Sequence, residues 1–208
     1  MINKHAGFTL VEISIVLVII GLILGAVFVG GQTLIANTKT TGTITLIKDL
    51  SGAISDFKSR YHYLPGDLPN AIQDKDISGI TCDNGNGDGL ITKTPKDEVS
   101  CVAQHLVLGG FIKGSMTGIV SPLNNGSLPD VFVMAAKIST VNLAAAKPFP
   151  ITVQNVIEIK NIPCDAANAI DSKIDDGDTT AGIVISQPPC VSSGASGVPA
   201  VTTLDVAL

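Results

Sequence analysis

A chain of 208 residues has room for one ordinary domain and a short extra segment. It carries 13 Lys and Arg against 18 Asp and Glu, with no run of like charge, which excludes a basic face for nucleic acid. Charged residues make up only 15 % of the chain, and 45 % is hydrophobic. That excludes a disordered chain and fits a membrane segment joined to a small β-rich domain.

Residues 1–7 are short and polar, with Lys4 and His5. From Phe8 to Gly31 the chain turns apolar (FTLVEISIVLVIIGLILGAVFVGG), and no charge falls between Glu12 and Lys39. A bilayer needs about 20 apolar residues at ~1.5 Å each, and one helix here supplies them. In lipid the backbone must bond to itself, so helix prevails over the β-branched composition. A secretory signal peptide has a shorter apolar stretch followed by a small-residue cleavage site. A buried core helix would be shorter as well. A plain single-span anchor does not explain Glu12, because a carboxylate in lipid costs at least ~2.5 kcal/mol and usually has a partner.

The run Gly7-Phe8-Thr9-Leu10-Val11-Glu12 resembles the prepilin processing site of type IV pilins and type II secretion pseudopilins. The resemblance implies a cut between Gly7 and Phe8 by a membrane aspartic peptidase, the prepilin peptidase, and methylation of the new amine on Phe8. It implies an assembly role for Glu12, facing the N-terminal amine of a neighbouring subunit. The physics agrees, since a buried carboxylate left alone is penalised and one facing an ammonium is relieved. The implied partners are like or related pilin subunits, an assembly ATPase and an inner-membrane platform protein. Lys4 and the initiator amine stay cytoplasmic by their charge. The expected location is therefore the bacterial inner membrane, single-pass, with the globular part in the periplasm and any filament periplasmic or extracellular.

Past Lys39 the apolar positions are Ile44, Ile47, Leu50, Ile54, Phe57 and Tyr61, spaced by three or four residues. That is the stripe of an amphipathic helix. One helix is expected from Phe8 to about Tyr61, with its membrane half over 8–31 and its amphipathic half over 32–62. Gly21 and Gly25 have the small-xxx-small spacing that permits close helix approach, as well as simple flexibility. Pro65 ends the helix, and Tyr63 to Ala71 is turn chemistry. Its Leu64-Pro65-Gly66-Asp67 is similar to the turn that follows the long helix in many pilin-like proteins.

Residues 72–96 read as loop. Asn84, Asn86 and Asp88, followed by Gly89 and Ile91, match the front of a calcium loop, with oxygens at alternate residues able to converge on a cation. The twelfth position is Pro95 instead of Glu, so Asp97 or Glu98 would have to close a non-standard site. The bland alternative is a Gly/Asn-rich turn without metal. Calcium is the one cofactor the sequence raises.

A helix is expected over Asp97 to Ile112, capped by Asp97 and weakened at Gly109 and Gly110. His105 within it has no second ligand at metal spacing and reads as a surface or packing residue. Family members often carry a Trp shortly before this His-Leu pair, and this chain has none. Strands are expected over 130–141, 151–160, from Ile183, and over Val201 to Val206. A short helix is expected over Asp165 to Lys173. The stretch IDSKIDDGDTTAGIV resembles a C-terminal segment of some pilin-like proteins, where a helix leads through an acidic turn into a strand. Its Asp residues fit a cation site or a solvated turn. From Val191 the chain is Ser/Gly-rich and reads as loose.

Cys82, Cys101, Cys164 and Cys190 form no Cys-x-x-Cys pair, so zinc-finger and thioredoxin readings fail. In an exported chain an even number suggests disulfides. Of three connectivities, Cys82–Cys101 with Cys164–Cys190 is expected, because each bridge closes a local loop. The expected fold is α+β: a leader (1–7), a long helix (8–62), and a globular domain (63–208) whose small antiparallel sheet packs on the helix. No nucleophile–His pair, Walker loop or HExxH occurs, and His5, His62 and His105 are scattered. The expected function is a structural filament subunit, a type II secretion pseudopilin or else a surface type IV pilin. A membrane-tethered binding module that never polymerises is the rival. No enzyme is expected.

Overall fold

A computed structural model describes residues 9–77, 79–124, 128–139, 148–190 and 201–208. Gly7 and Phe8 lie outside the described residues, as does the stretch from Val191 to Ala200. The chain divides into two units, 1–38 and 39–208. Helix α1 spans Leu10–Tyr61 and contributes to both.

In the first unit, Leu10–Val27 is long and apolar enough to cross a membrane, and none of it is buried against the rest of the protein. Such a surface needs lipid or other helices around it. The hydroxyls here bond inward: Ser14 Oγ donates to the Val11 carbonyl at 2.8 Å and Thr38 Oγ1 to the Leu34 carbonyl at 2.9 Å. Both are thereby hidden from an apolar surrounding.

In the second unit, the α1 stripe is core. Ile47, Leu50, Ile54 and Phe57 are buried as expected, with Ala53 beside them, and Ile44 and Tyr61 are half-buried against the same cluster. The Phe57 ring lies 4.5 Å from Tyr61, 5.4 Å from Phe111 and 5.8 Å from His105, centroid to centroid. Such pairs add to the burial energy of the ring itself. The helix stops at Tyr61 because His62 takes a left-handed conformation (φ 63°), its N–H donating to the Lys58 carbonyl at 2.8 Å. Pro65, three residues on, prevents resumption.

Helix α2 spans Glu98–Leu108, shorter at its end than the expected 97–112. Asp97 caps it, accepting from Ser100 N–H at 3.3 Å. Gly109 and Gly110 stop it, and the Phe111 and Ile112 amides turn back onto the Leu106 carbonyl.

Four antiparallel strands form one sheet: β1 (Val131–Ala135), β2 (Asn155–Pro163), β3 (Val184–Gln187) and β4 (Val201–Ala207), in the order β1-β2-β4-β3. Helix α3 (Cys164–Ile174) follows β2 directly and leads through the acidic turn to β3. Two strand boundaries differ from expectation. β1 ends at Ala135, where its register partner Asn155 is the first residue of β2, so later residues find no ladder and coil into a 3-10 turn at Ala136–Ile138. β2 starts late because Pro150 begins a turn closed by Val153 N–H onto its carbonyl at 2.9 Å. β2 is buried on both faces over Asn155–Ile159. It shifts register between Ile159 and Ile162, where Asn161 has φ 58°.

Both disulfides pair as expected, with Cα–Cα separations of 5.7 Å for Cys82–Cys101 and 5.4 Å for Cys164–Cys190. Their loops span 19 and 26 residues, so in the loop-entropy model each stabilises by about 3–4 kcal/mol. Phe57→Ala is expected to destabilise the second unit by about 3–5 kcal/mol. The urea midpoint of the detergent-solubilised chain, followed by far-UV circular dichroism, measures it.

Candidate functional site

The head of α1 is built from Thr9 and Glu12. The Thr9 N–H and hydroxyl each donate to Glu12 Oε2 at 2.8 Å, and the Glu12 N–H donates to Thr9 Oγ1 at 3.3 Å. This is a capping box, in which two otherwise unpaired amides of the first turn are satisfied reciprocally. The Thr-x-x-Glu spacing was its signal in the sequence. Glu12 thus already has a local partner inside the chain, at the residue next to Phe8.

The loop around Asn84, Asn86 and Asp88 is held by two carboxylates outside it. Asp67 Oδ1 accepts from Gly87 N–H at 2.6 Å, and its Oδ2 accepts from Gly89 N–H at 2.8 Å. Glu98 Oε1 accepts from Asn86 N–H at 3.0 Å, and its Oε2 accepts from Thr92 N–H at 2.8 Å. Both acids are 1 % exposed and have no ion pair among the described residues. Backbone amides take the place of a countercharge. Burial still pushes the Asp67 carboxyl above its usual range, with the Gly89 and Gly87 amides opposing.

The loop oxygens that the sequence offered for a cation each hold a backbone amide. Asn84 Oδ1 accepts from Ile72 N–H at 2.9 Å, Asn86 Oδ1 from Asp88 N–H at 2.9 Å, and Asp88 Oδ1 from Leu90 N–H at 2.9 Å. Glu98 does reach the loop, but it meets amides there. Asn155 of β2 fixes the far end, accepting from Ile91 N–H and donating to the Gly89 carbonyl, both at 3.0 Å.

The turn that presents Asp67 rests on His105. Gly66 N–H donates to His105 Nδ1 at 2.8 Å. Only glycine fits: φ is 95°, and a Cβ would stand 2.5 Å from the Glu98 carbonyl oxygen. His105 is wholly buried and stacks on Phe57, so of the two readings the sequence offered it is a packing residue. Its Nε2 lies 3.9 Å from Cys82 Sγ, beside the first disulfide. Burial pushes its pKa down to about 4.

One acidic pair escaped the sequence reading, whereas the acidic turn after α3 did not. Glu158 and Asp205 face each other across β2 and β4, both buried, and both accept from the Ser139 hydroxyl. Lys160 Nζ stands 3.4 Å from Glu158 Oε1. In the turn after α3, carboxylate oxygens of Asp171, Asp175 and Asp176 lie within 4.8 Å of one another. Burial, with Asp175 and Asp176 beside it, pushes Asp171 up to about 6.

Residues 2–28 match the family model described as the prokaryotic N-terminal methylation motif. No curated protein and no solved structure matches the chain. The match takes in Gly7 to Glu12 and the apolar segment behind them. It supports a type IV pilin-like, prepilin-type cleavage domain at the N-terminus.

Asp67→Ala is expected to destabilise the chain by about 1–3 kcal/mol, as two half-buried amides lose their acceptor; a urea midpoint reads this. His105 gives a pH dependence. An unfolded chain with histidine near 6.5 binds this proton as the pH falls, and the folded chain does not until about 4. Stability from this group is full above pH 6.5 and falls by up to about 3 kcal/mol on the way to pH 4. Asp171 works in the opposite sense, since its destabilising charge is relieved as the pH falls below about 6. The test is therefore a comparison: His105→Asn should lose less stability between pH 7 and 4 than the wild type, in denaturation curves at both pH values.

Proposed function

We propose that this type IV pilin-like protein is a structural filament subunit, clipped between Gly7 and Phe8 by prepilin peptidase and methylated on Phe8. It then assembles through its N-terminal helix. The observation that carries this reading is the methylation motif over residues 2–28, at the head of an apolar helix segment with no buried residue in its span. A helix with that surface is stable in lipid, and equally among like helices in a filament core. An assembly ATPase and a platform protein would move it from one setting to the other.

The globular part points to the type II secretion side of the family, as a pseudopilin. The Leu64–Asp67 turn and the Ile170–Val184 segment resemble pilin-like proteins, and the preference for the secretion type over a surface pilin is slight. A surface pilin is the alternative, and filaments in sheared surface material would favour it. The two disulfides suit an oxidising compartment, which supports an inner-membrane anchor with the second unit in the periplasm. The motif points to a structural role and away from an enzyme.

Intact mass of the protein from native membranes, with and without the peptidase, tests the processing step. The expected species is a chain starting at methylated Phe8, present only with the peptidase, and absent for Gly7→Ala. An uncut chain in both samples leaves a tethered domain and ends the filament reading. Glu12 has two jobs to separate. Glu12→Ala and Glu12→Gln are both expected to be clipped normally, and both to lower filament yield by roughly tenfold or more through loss of the charge. Glu12→Gln keeps a side chain able to cap Thr9. Wild-type yield from Glu12→Gln alone would assign the residue to capping and refute its pairing with a neighbour's amine.

A further inference from the structure

The loop held by Asp67 reads Asn84-Gly85-Asn86-Gly87-Asp88-Gly89, three successive pairs of one chemical kind. Asn or Asp followed by glycine is prone to modify itself, because no side chain shields the glycine nitrogen. That nitrogen attacks the preceding side-chain carbonyl carbon and closes a five-membered succinimide. At Asn86 a bond forms between Gly87 N and Asn86 Cγ, and the Cγ–Nδ2 bond breaks. The departing NH2 takes up the Gly87 amide proton and leaves as ammonia. At Asp88 the same closure onto Gly89 N expels water. Water then opens either ring, giving aspartate or isoaspartate, with no oxidant or reductant involved. Asn86 and Asp88 are exposed, so water reaches both. The fold still requires glycine at 87, where φ is 76° and a Cβ would stand 2.9 Å from Pro69 Cγ.

Each of the three attacking nitrogens is already engaged. Gly85 N–H donates to the Leu68 carbonyl at 2.9 Å. Gly87 N–H and Gly89 N–H donate to the two oxygens of one carboxylate, Asp67 Oδ1 at 2.6 Å and Oδ2 at 2.8 Å. An amide nitrogen attacks only as it gives up its proton and gathers negative charge, and a carboxylate beside it opposes that charge. The target side chains are held too. Asn86 Oδ1 accepts from Asp88 N–H at 2.9 Å and Asn86 Nδ2 donates to Asp88 Oδ2 at 3.1 Å, while Asp88 Oδ1 accepts from Leu90 N–H at 2.9 Å. We propose that residues 84–89 are a latent self-modification site, kept silent by the hold of Asp67 on the Gly87 and Gly89 nitrogens. A chain whose loop stays open forms isoaspartate there. Isoaspartate routes the backbone through the side chain and adds one carbon, so the two amides lose the spacing that one carboxylate matches. The clamp then cannot reclose. The site does not depend on processing at Gly7 or on assembly.

The test incubates the full chain in detergent in warm, mildly alkaline buffer. Isoaspartate at each position is read by peptide mapping and by an isoaspartyl-specific methyltransferase. The folded wild type should be modified at Asn86 and Asp88 roughly tenfold or more slowly than the same chain in guanidinium, the factor one charge-assisted hydrogen bond corresponds to. Asp67→Asn keeps the volume but offers one acceptor oxygen for two amides. It should speed modification at Asn86 and Asp88 by roughly tenfold, and leave Asn84, whose glycine bonds to Leu68, much less affected. Phe57→Ala separates the clamp from general loosening, since it weakens the core and leaves Asp67 in place. The proposal is overturned by equal rates in folded and unfolded wild type, or by Asp67→Asn ageing no faster than Phe57→Ala when circular dichroism shows both folded. Slower modification in Asp67→Asn also overturns it, and makes the carboxylate the base that starts the closure. Amide hydrogen exchange gives a check without variants: Gly87 and Gly89 should exchange slowly, and fast exchange at both defeats the proposal.

Discussion

One hydrogen bond, from the Gly66 amide to the His105 ring, holds the second unit in register. On one side, His105 stacks on Phe57 at the centre of the aromatic cluster on α1. On the other, Gly66 fixes the turn that aims Asp67 at the amides of Gly87 and Gly89. Those amides set the loop, and Asn155 passes its position to the first residue of β2. The helix, the turn, the loop and the sheet are thus connected by a short series of polar contacts threaded through an apolar core. Each is short and satisfied, which is what makes a buried polar series specify one arrangement. The bond also explains why this histidine must stay neutral, since its ring nitrogen has to accept.

Much of this was legible in the sequence where physics is local. The stripe from Ile44 to Tyr61 is a periodicity, the end near Pro65 is a steric rule, and Asp97 is a cap by residue type and position. The cysteine pairing followed from loop closure. What was not legible is tertiary. Asp67, Glu98, Glu158 and Asp205 are acids, and composition places acids at the surface. Their burial depends on amides and hydroxyls brought from elsewhere in the chain. The ends of β1 and β2 were misplaced because a strand lasts only as long as its neighbour. The Asn84–Asp88 spacing illustrates a true ambiguity: oxygens at alternate residues serve a cation or serve successive backbone turns equally well. The Thr9–Glu12 capping box was a local signal, overshadowed by the processing motif that shares the same residues.

The two units solve opposite problems. The first exposes a long apolar surface and hides the Ser14 and Thr38 hydroxyls against its own carbonyls. Its Glu12 carboxylate is held locally by hydrogen bonds from Thr9. The second buries several acids, holding Asp67 and Glu98 with backbone amides and Glu158 and Asp205 with the Ser139 hydroxyl. The family motif ends at residue 28, so it speaks for the first unit alone. What distinguishes this chain from others with the same head is written in the clamp around Asp67 and Glu98 and in the acidic turn after α3.

The strand order has a consequence for how the chain can be delivered. β4 lies between β2 and β3, and among the described residues β3 has no neighbour in the sheet but β4. A chain emerging N-terminus first lays down three strands, of which β3 has nothing to pair with until β4 follows. The sheet therefore closes at its middle, and closes last. This ordering acts as a timer: the sheet of the second unit cannot be completed until its final strand is present. The same ordering makes β4 a poor place to shorten the protein, because trimming it takes away a keystone and not an edge.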